Sequence, residues 1–485
     1  MNISRDKILE LEKKAGTLEP NAEERKLVRD KVVAYAERFI NEIEDEKAFN
    51  ITEDMGMGIY DFPIVEEQLD IDTVLEVFRE NVEKPGLNPA SGGHLAYIPG
   101  GGIYYSSLGD YIAAITNRYA GVFYPSPGAV RMTNMLIKWM ANLIGYPADT
   151  AGNLSSGGSI ANLTAIVTAR DAKGLQGADY QKCVIYTTKQ AHHCVDKALN
   201  IAGLAEAIRR FIPMDAGHRM IPEKLEQQIN NDRKSGLIPW LIVAAAGTTD
   251  VGAVDPLEEI GHISKKHDLW FHIDGAYGAF FVMTEKGKRL LKGIELSDSI
   301  VMDPHKSLFL PYGLGVLLVK EARHLQHTHR YSANYLQDVI EAEDELSPAN
   351  ISPELTKHFR ALRLWLPLKL CGTAPFVACL EEKLLLANYF YAKIAEIPGF
   401  ETGGEPELSV VTFRYVPASG DANSFNKRLL LEILRDGRIF LSSTDLEGVF
   451  TLRLAVLAFR SHLRTIDGAL EIITQKTDEL LNANS

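Results

Sequence analysis

The chain has 485 residues, 46% hydrophobic and 24% charged, the balance of a folded globular protein and not of a disordered one. That length exceeds what one hydrophobic core normally serves, so two or three domains are expected. A formal net charge of −13 sets the surface against phosphate backbones and anionic lipid, which argues against nucleic acid and membrane as main partners.

Taken in chain order, residues from about Ala22 to Glu46 carry Leu27, Val32, Val33, Ala36, Phe39 and Ile43 at roughly helical spacing. A second helix is expected from near Asp72, which makes 1–84 an N-terminal helical segment. From Pro85 to Pro127 the composition turns to Gly and Tyr (GGHLAYIPGGGIYYSS). Gly and Pro rule out one long helix there, so this stretch reads as a connector or a loop facing substrate.

From Gly145 to Lys320 short apolar runs alternate with helical patterns. Strands are expected at Cys183–Thr187, Leu241–Ala245, Trp270–Ile273, Ser299–Met302 and Gly315–Val319. Helices are expected at Ser159–Arg170, Val195–Ala202, Pro222–Asn231 and Leu257–Lys266. The alternation predicts an α/β fold with a mainly parallel sheet covered on both faces, its ligand at the carboxyl ends of the strands. A large domain is assigned to 85–370. The remainder, 371–485, reads as a small α+β domain with strands at Ser409–Arg414 and Phe450–Leu454 and a helix at Asn426–Arg435.

Cys183, Cys194, Cys371 and Cys379 stand apart without a C-x-x-C pair, so reduced thiols are expected. The first twenty residues lack the apolar stretch of a secretory signal, and no run of about 18 apolar residues is present. Together these features predict a cytoplasmic protein.

The chemistry-bearing residues sit at expected strand ends and helix starts. Lys306 in Asp303-Pro304-His305-Lys306 follows the run Ser299–Met302, where a partly desolvated amine can condense with an aldehyde. Asp274, 32 residues upstream, ends the run Trp270–Ile273. A carboxylate there needs a partner: a protonated ring nitrogen, a loop, or Lys306 itself. The stretch Leu154–Asn162 opens a helix with Ser155, Ser156, Gly157, Gly158 and Ser159, either a phosphate cradle or a Ser-capped start. His192 offers an imidazole that can stack on an aromatic ring. His192-His193 lacks the spacing of a metal set, and no metal is expected. Gly247-Thr248-Thr249 ends another strand.

The motifs SSGGSIAN, QAHHCVDKA, AGTTDVGAVDP, WFHIDGAYGA and DPHKS appear in that order. Together they resemble the group II pyridoxal-phosphate (PLP) dependent amino-acid decarboxylases, which include aromatic-L-amino-acid, tryptophan, tyrosine and glutamate decarboxylases. The resemblance runs from about residue 70 to 460. It implies the aspartate aminotransferase-like fold (fold type I) and PLP as cofactor. By this resemblance Lys306 carries the cofactor as a Schiff base, Asp274 pairs with its ring nitrogen, and His192 stacks on its face. Ala276 packs near the ring. Gly158 and Ser159 hold the phosphate, with His305 beside the lysine at that end. Thr249 lies near cofactor and substrate, and Arg360 supports the substrate site. Asp303 departs from the Asn of many relatives. A carboxylate beside a dianion repels it, so direct phosphate contact is not expected from Asp303.

The resemblance also implies a homodimer with sites at the subunit interface. A polar loop from about His329 to Asn350 would cover the neighbouring site, and Tyr335 in it matches the catalytic tyrosine. Tyr97, Ile98, Tyr104 and Tyr105 suggest apolar walls and hence an aromatic amino-acid substrate. Ser91–Leu95 lacks the bulky aromatics common in aromatic decarboxylases. Glutamate, diaminobutyrate or a decarboxylating aldehyde synthase are the alternatives.

Overall fold

Residues with alternating apolar side chains build the centre of the molecule. The chain, described over residues 4–330 and 345–483 of a computed structural model, first pairs two short strands, β1 (Phe49–Asn50) and β2 (Gly86–Leu87). The central sheet then takes β3 (Ala151–Ser155), β4 (Cys183–Thr187), β5 (Ile208–Phe211), β6 (Ile238–Ala245), β7 (Trp270–Asp274), β8 (Ser299–Met302) and β9 (Gly315–Val319). Their spatial order is β3-β9-β8-β7-β6-β4-β5. Neighbours from β5 to β8 pair in parallel. Only β9 runs against its neighbours β3 and β8.

Side chains two apart share a face. Ile185, Leu241, Val243, Val301 and Leu317 pack on helices Gly158–Ala172 and Cys194–Ile201. The alternate set, Tyr186, Ile242, Phe271, Ile300 and Val316, packs on Leu136, Ile137 and Met140 of helix Pro127–Leu143 and on Leu257 and Ile260 of helix Leu257–Lys266. Each such fully buried aliphatic side chain contributes about 1.5–3 kcal/mol, and helices on both faces make the layered α/β architecture.

The α/β expectation holds, with differences. β3 (Ala-Gly-Asn-Leu-Ser) and β5 (Ile-Arg-Arg-Phe) carry no apolar run, yet hydrogen bonding to β9 and β4 recruits them. The Gly- and Tyr-rich stretch contains a 13-residue helix, Tyr104–Thr116. Its Gly109 is not a breaker but a contact point: a Cβ there would meet the Leu362 carbonyl of helix Ala361–Cys371 at 2.7 Å. Beyond residue 395 a four-stranded antiparallel sheet forms in the order β10-β11-β13-β12. Its strands are β10 (Phe400–Thr402), β11 (Val410–Tyr415), β12 (Ser442–Leu446) and β13 (Val449–Ala455). Among the described residues no helix is long and apolar enough to cross a membrane.

Candidate active site

The carboxyl ends of β6, β7 and β8 and the start of helix Gly158–Ala172 converge on a cavity of about 430 Å³, within the range of small-molecule sites. Lys306, Asp274, His192, Gly158, Ser159, Thr249, Ala276 and His305 all line it. They come from distant parts of the chain, and parallel strands bring them to one edge of the sheet.

At one end β8 stops at Met302 and a single helical turn, Pro304–Ser307, presents Lys306. Its Nζ lies 3.3 Å from Asp303 Oδ2. Asp303 is fully buried, and its Oδ1 has no hydrogen-bond partner among the described residues. His305 Nδ1 donates to the Leu314 carbonyl at 2.6 Å, which leaves Nε2 toward the cavity, 3.7 Å from Asp303. Burial pushes the His305 imidazole below its usual range, so the ring is neutral near pH 7.

Beside this turn, helix Gly158–Ala172 begins with no side chain capping its first turn. Its free N–H groups and dipole form an anion site. The approach is tight: a Cβ on Gly158 would stand 2.7 Å from Asp303 Oδ2, and one on Gly315 2.4 Å from the Gly157 backbone.

At the other end Asp274 closes β7. Its Oδ1 accepts the Ala276 N–H at 3.2 Å, and its Oδ2 accepts from Asn162 Nδ2 at 3.4 Å. Cys194 Sγ is 3.9 Å from the same Oδ2. His192 Nδ1 accepts the Cys194 N–H at 3.2 Å, and burial lowers the affinity of its imidazole for a proton. Nearby, the Thr249 carbonyl accepts from the buried guanidinium of Arg453.

Two expected site residues stand outside this lining. Arg360 does not line the cavity; its Nη1 pairs with Glu354 at 3.2 Å. Tyr97, with a left-handed backbone (φ 54°), packs against His94 and Phe440 outside the lining. Tyr335 lies outside the described residues. Conversely, the structure adds Asn162, one helical turn beyond Gly158, and behind it His272 and Ser299. Period-two spacing from Asp274 to His272 was the available signal.

An amine, a carboxylate, a flat neutral imidazole and an uncapped helix start around one cavity fit an aromatic aldehyde bearing a phosphate. That donor set, at the strand ends of this fold, defines a PLP enzyme. The pattern of the pyridoxal-dependent decarboxylase conserved domain matches residues 60–416. An aromatic-L-amino-acid decarboxylase of Bacillus atrophaeus is 34% identical over 413 residues, 80% of this chain and 86% of the relative. A phenylacetaldehyde synthase of Arabidopsis thaliana is 27% identical over 432 residues, 85% of this chain and 87% of the relative. The crystal structure of Oryza sativa TDC with PLP and tryptamine superposes with a TM-score of 0.89 at 24% identity, covering 95% of this chain and 99% of that one. The chain belongs to the pyridoxal-dependent decarboxylases; it is a PLP-dependent amino-acid decarboxylase.

Proposed function

We propose that the chain decarboxylates an aromatic L-amino acid, such as tryptophan, tyrosine, phenylalanine or DOPA, to its amine and carbon dioxide. The carrying observation is the charge of the cavity. Lys306 is the one Lys or Arg among the described lining residues; it pairs with Asp303 at 3.3 Å, and Asp255 and Asp274 also line the cavity. Among the described lining residues the cavity itself therefore offers an acidic substrate side chain no cation besides Lys306. The name of the Bacillus relative agrees with this reading.

PLP, when bound, supplies the electron sink for the bond that breaks at Cα. The protein's part divides by position. Lys306 holds the cofactor covalently through its ε-amine, and Asp274 holds the ring-nitrogen proton. His192 would stack on the ring as a neutral imidazole, and Ala276 and Thr249, which line the same cavity, would pack near it. Gly158, Ser159 and the helix start hold the phosphate, with His305 at that end. Tyr335 returns a proton to Cα, which makes amine and not aldehyde the product. Tyr97 and Arg360 act on the substrate side, where a second subunit completes the site.

The homodimer has its own support. On helix Tyr104–Thr116, Tyr104, Tyr105, Leu108, Tyr111, Ile112 and Ile115 are exposed at helical spacing. An apolar stripe of that kind marks a protein contact.

The test is a product screen with purified protein over the aromatic amino acids, glutamate and diaminobutyrate, scoring amine, aldehyde and peroxide. The reading requires the highest kcat/KM on an aromatic substrate with amine as the main product. A higher value for glutamate or diaminobutyrate, or mostly aldehyde, replaces it.

A further inference from the structure

Behind Asp274, on the sheet face covered by helix Gly158–Ala172, five polar side chains run in single file. Trp270 Nε1 is 2.9 Å from Ser299 Oγ, Ser299 Oγ is 2.8 Å from His272 Nδ1, and His272 Nε2 is 2.8 Å from Asn162 Oδ1. Asn162 Nδ2 reaches Asp274 Oδ2 at 3.4 Å. His272, Ser299 and Asn162 are all fully buried.

The direction of every bond in this file follows from chemistry. Indole N–H can only donate, so Trp270 donates to Ser299. Asn162 Nδ2 also donates to the Gly158 carbonyl at 3.0 Å, and reversing the amide would turn its oxygen toward that carbonyl and the Asp274 carboxylate. Asn162 Oδ1 therefore faces His272 and accepts, so His272 Nε2 carries a proton. Burial pushes the His272 imidazole down to about 4 against the opposing pull of Asp274, so near pH 7 the ring carries one proton only. Nδ1 is then an acceptor, and the Ser299 hydroxyl donates to it. Each group donates toward Asp274.

We propose that Trp270, Ser299, His272 and Asn162 form a one-directional hydrogen-bond relay that positions the Asp274 carboxylate, with His272 locked as its Nε2–H tautomer. None of the first three touches the cavity, so they are positioning residues. The relay fixes the plane of the carboxylate from behind and leaves its cavity side to the cofactor. It rests on the reading of Asp274 as the partner of the ring nitrogen.

Two measurements on the full chain test it. In ¹⁵N-histidine spectra of the unsubstituted protein, the signal absent from His272→Gln is that of His272; it must show Nε2 protonated and Nδ1 bare. A proton on Nδ1 overturns the relay. Second, a glutamine at 272 keeps an N–H where Nε2–H stands, whereas phenylalanine keeps only the ring. PLP affinity is expected within about threefold of the parent in His272→Gln and about tenfold weaker in His272→Phe, the loss of one hydrogen bond in the relay. The visible circular dichroism of the bound cofactor should change in the Phe variant alone. Equal affinities in the two variants, high or low, refute the relay. If His272→Phe does not fold, a tenfold loss in His272→Gln or the wrong tautomer still refutes it. Unchanged PLP affinity in Asp274→Asn would instead remove the reading of Asp274, while the tautomer measurement judges the relay by itself.

Discussion

Asp303 Oδ2 lies 3.3 Å from Lys306 Nζ inside one helical turn. The same oxygen would meet a Cβ on Gly158 at 2.7 Å. The carboxylate thus sits between the amine and the anion-binding helix start and leaves no room for a methyl group. Gly158→Ala must push Asp303 or the helix start aside. Overpacking of this kind costs about 1–3 kcal/mol. We expect a lower Tm and PLP binding weakened at least about tenfold, read by cofactor titration. Parent-like binding would show that the helix start does not hold the phosphate.

Lys306 is the expected covalent site. Borohydride treatment of the PLP-loaded protein followed by peptide mapping should place the pyridoxyl group on Lys306. Label on another lysine contradicts the assignment. With the same preparation, Asp274→Asn should lower amine formation by orders of magnitude, because the charge opposite the ring nitrogen is lost.

Acid should destabilise the protein through His94. Burial pushes its imidazole down to about 4, below the ordinary 6.5 of the unfolded chain. Between those values the unfolded chain binds a proton that the folded one does not. The stability this group contributes is full above pH 6.5 and lost as pH falls toward 4, about 3 kcal/mol at most. His272 acts in the same direction. His94→Phe, in a pocket already lined by Phe440 and Tyr97, should therefore lose less stability between pH 7 and pH 5. Denaturant midpoints at the two pH values check this; identical losses in both proteins refute it.

Tyr335→Phe removes one hydroxyl. If that phenol returns the proton to Cα, carbon dioxide release should slow and peroxide should rise relative to amine. Quantifying amine, aldehyde and peroxide in parent and variant settles the role. An unchanged rate and product ratio assigns the proton to another group.

The exposed stripe on helix Tyr104–Thr116 predicts a dimer that charge can break. Ile112 and Ile115 are 43% and 70% exposed in the single chain. The double variant Ile112→Glu, Ile115→Glu should sediment as a monomer at micromolar concentration, where the parent sediments as a dimer, and should lose activity with the interface. A dimeric double variant moves the interface elsewhere.

The order of site residues was legible in the sequence because each sits beside a local signal. Apolar runs announced β4, β8 and β9 with the ends found in the structure, and Lys306, Asp274, His192 and Gly158 follow such runs or open a helix. β3 and β5 were not legible, since Gly152, Asn153, Arg209 and Arg210 carry no apolar pattern; partner strands alone recruit them. The helix Tyr104–Thr116 inside the Gly- and Tyr-rich stretch was not legible either; its Gly109 accommodates the close approach of helix Ala361–Cys371. Likewise, no local pattern says that Asn162 faces His272 or that Arg360 turns to Glu354. Those pairings join residues far apart in sequence or choose among several reachable partners. The sequence by itself brought out Lys306, Asp274, His192, Gly158, Ser159, Thr249, Ala276 and His305, which line the cavity, through local signals and motifs. Only the tertiary structure decided what each one touches, because burial removes water as a partner and leaves every polar atom to the neighbours that packing provides.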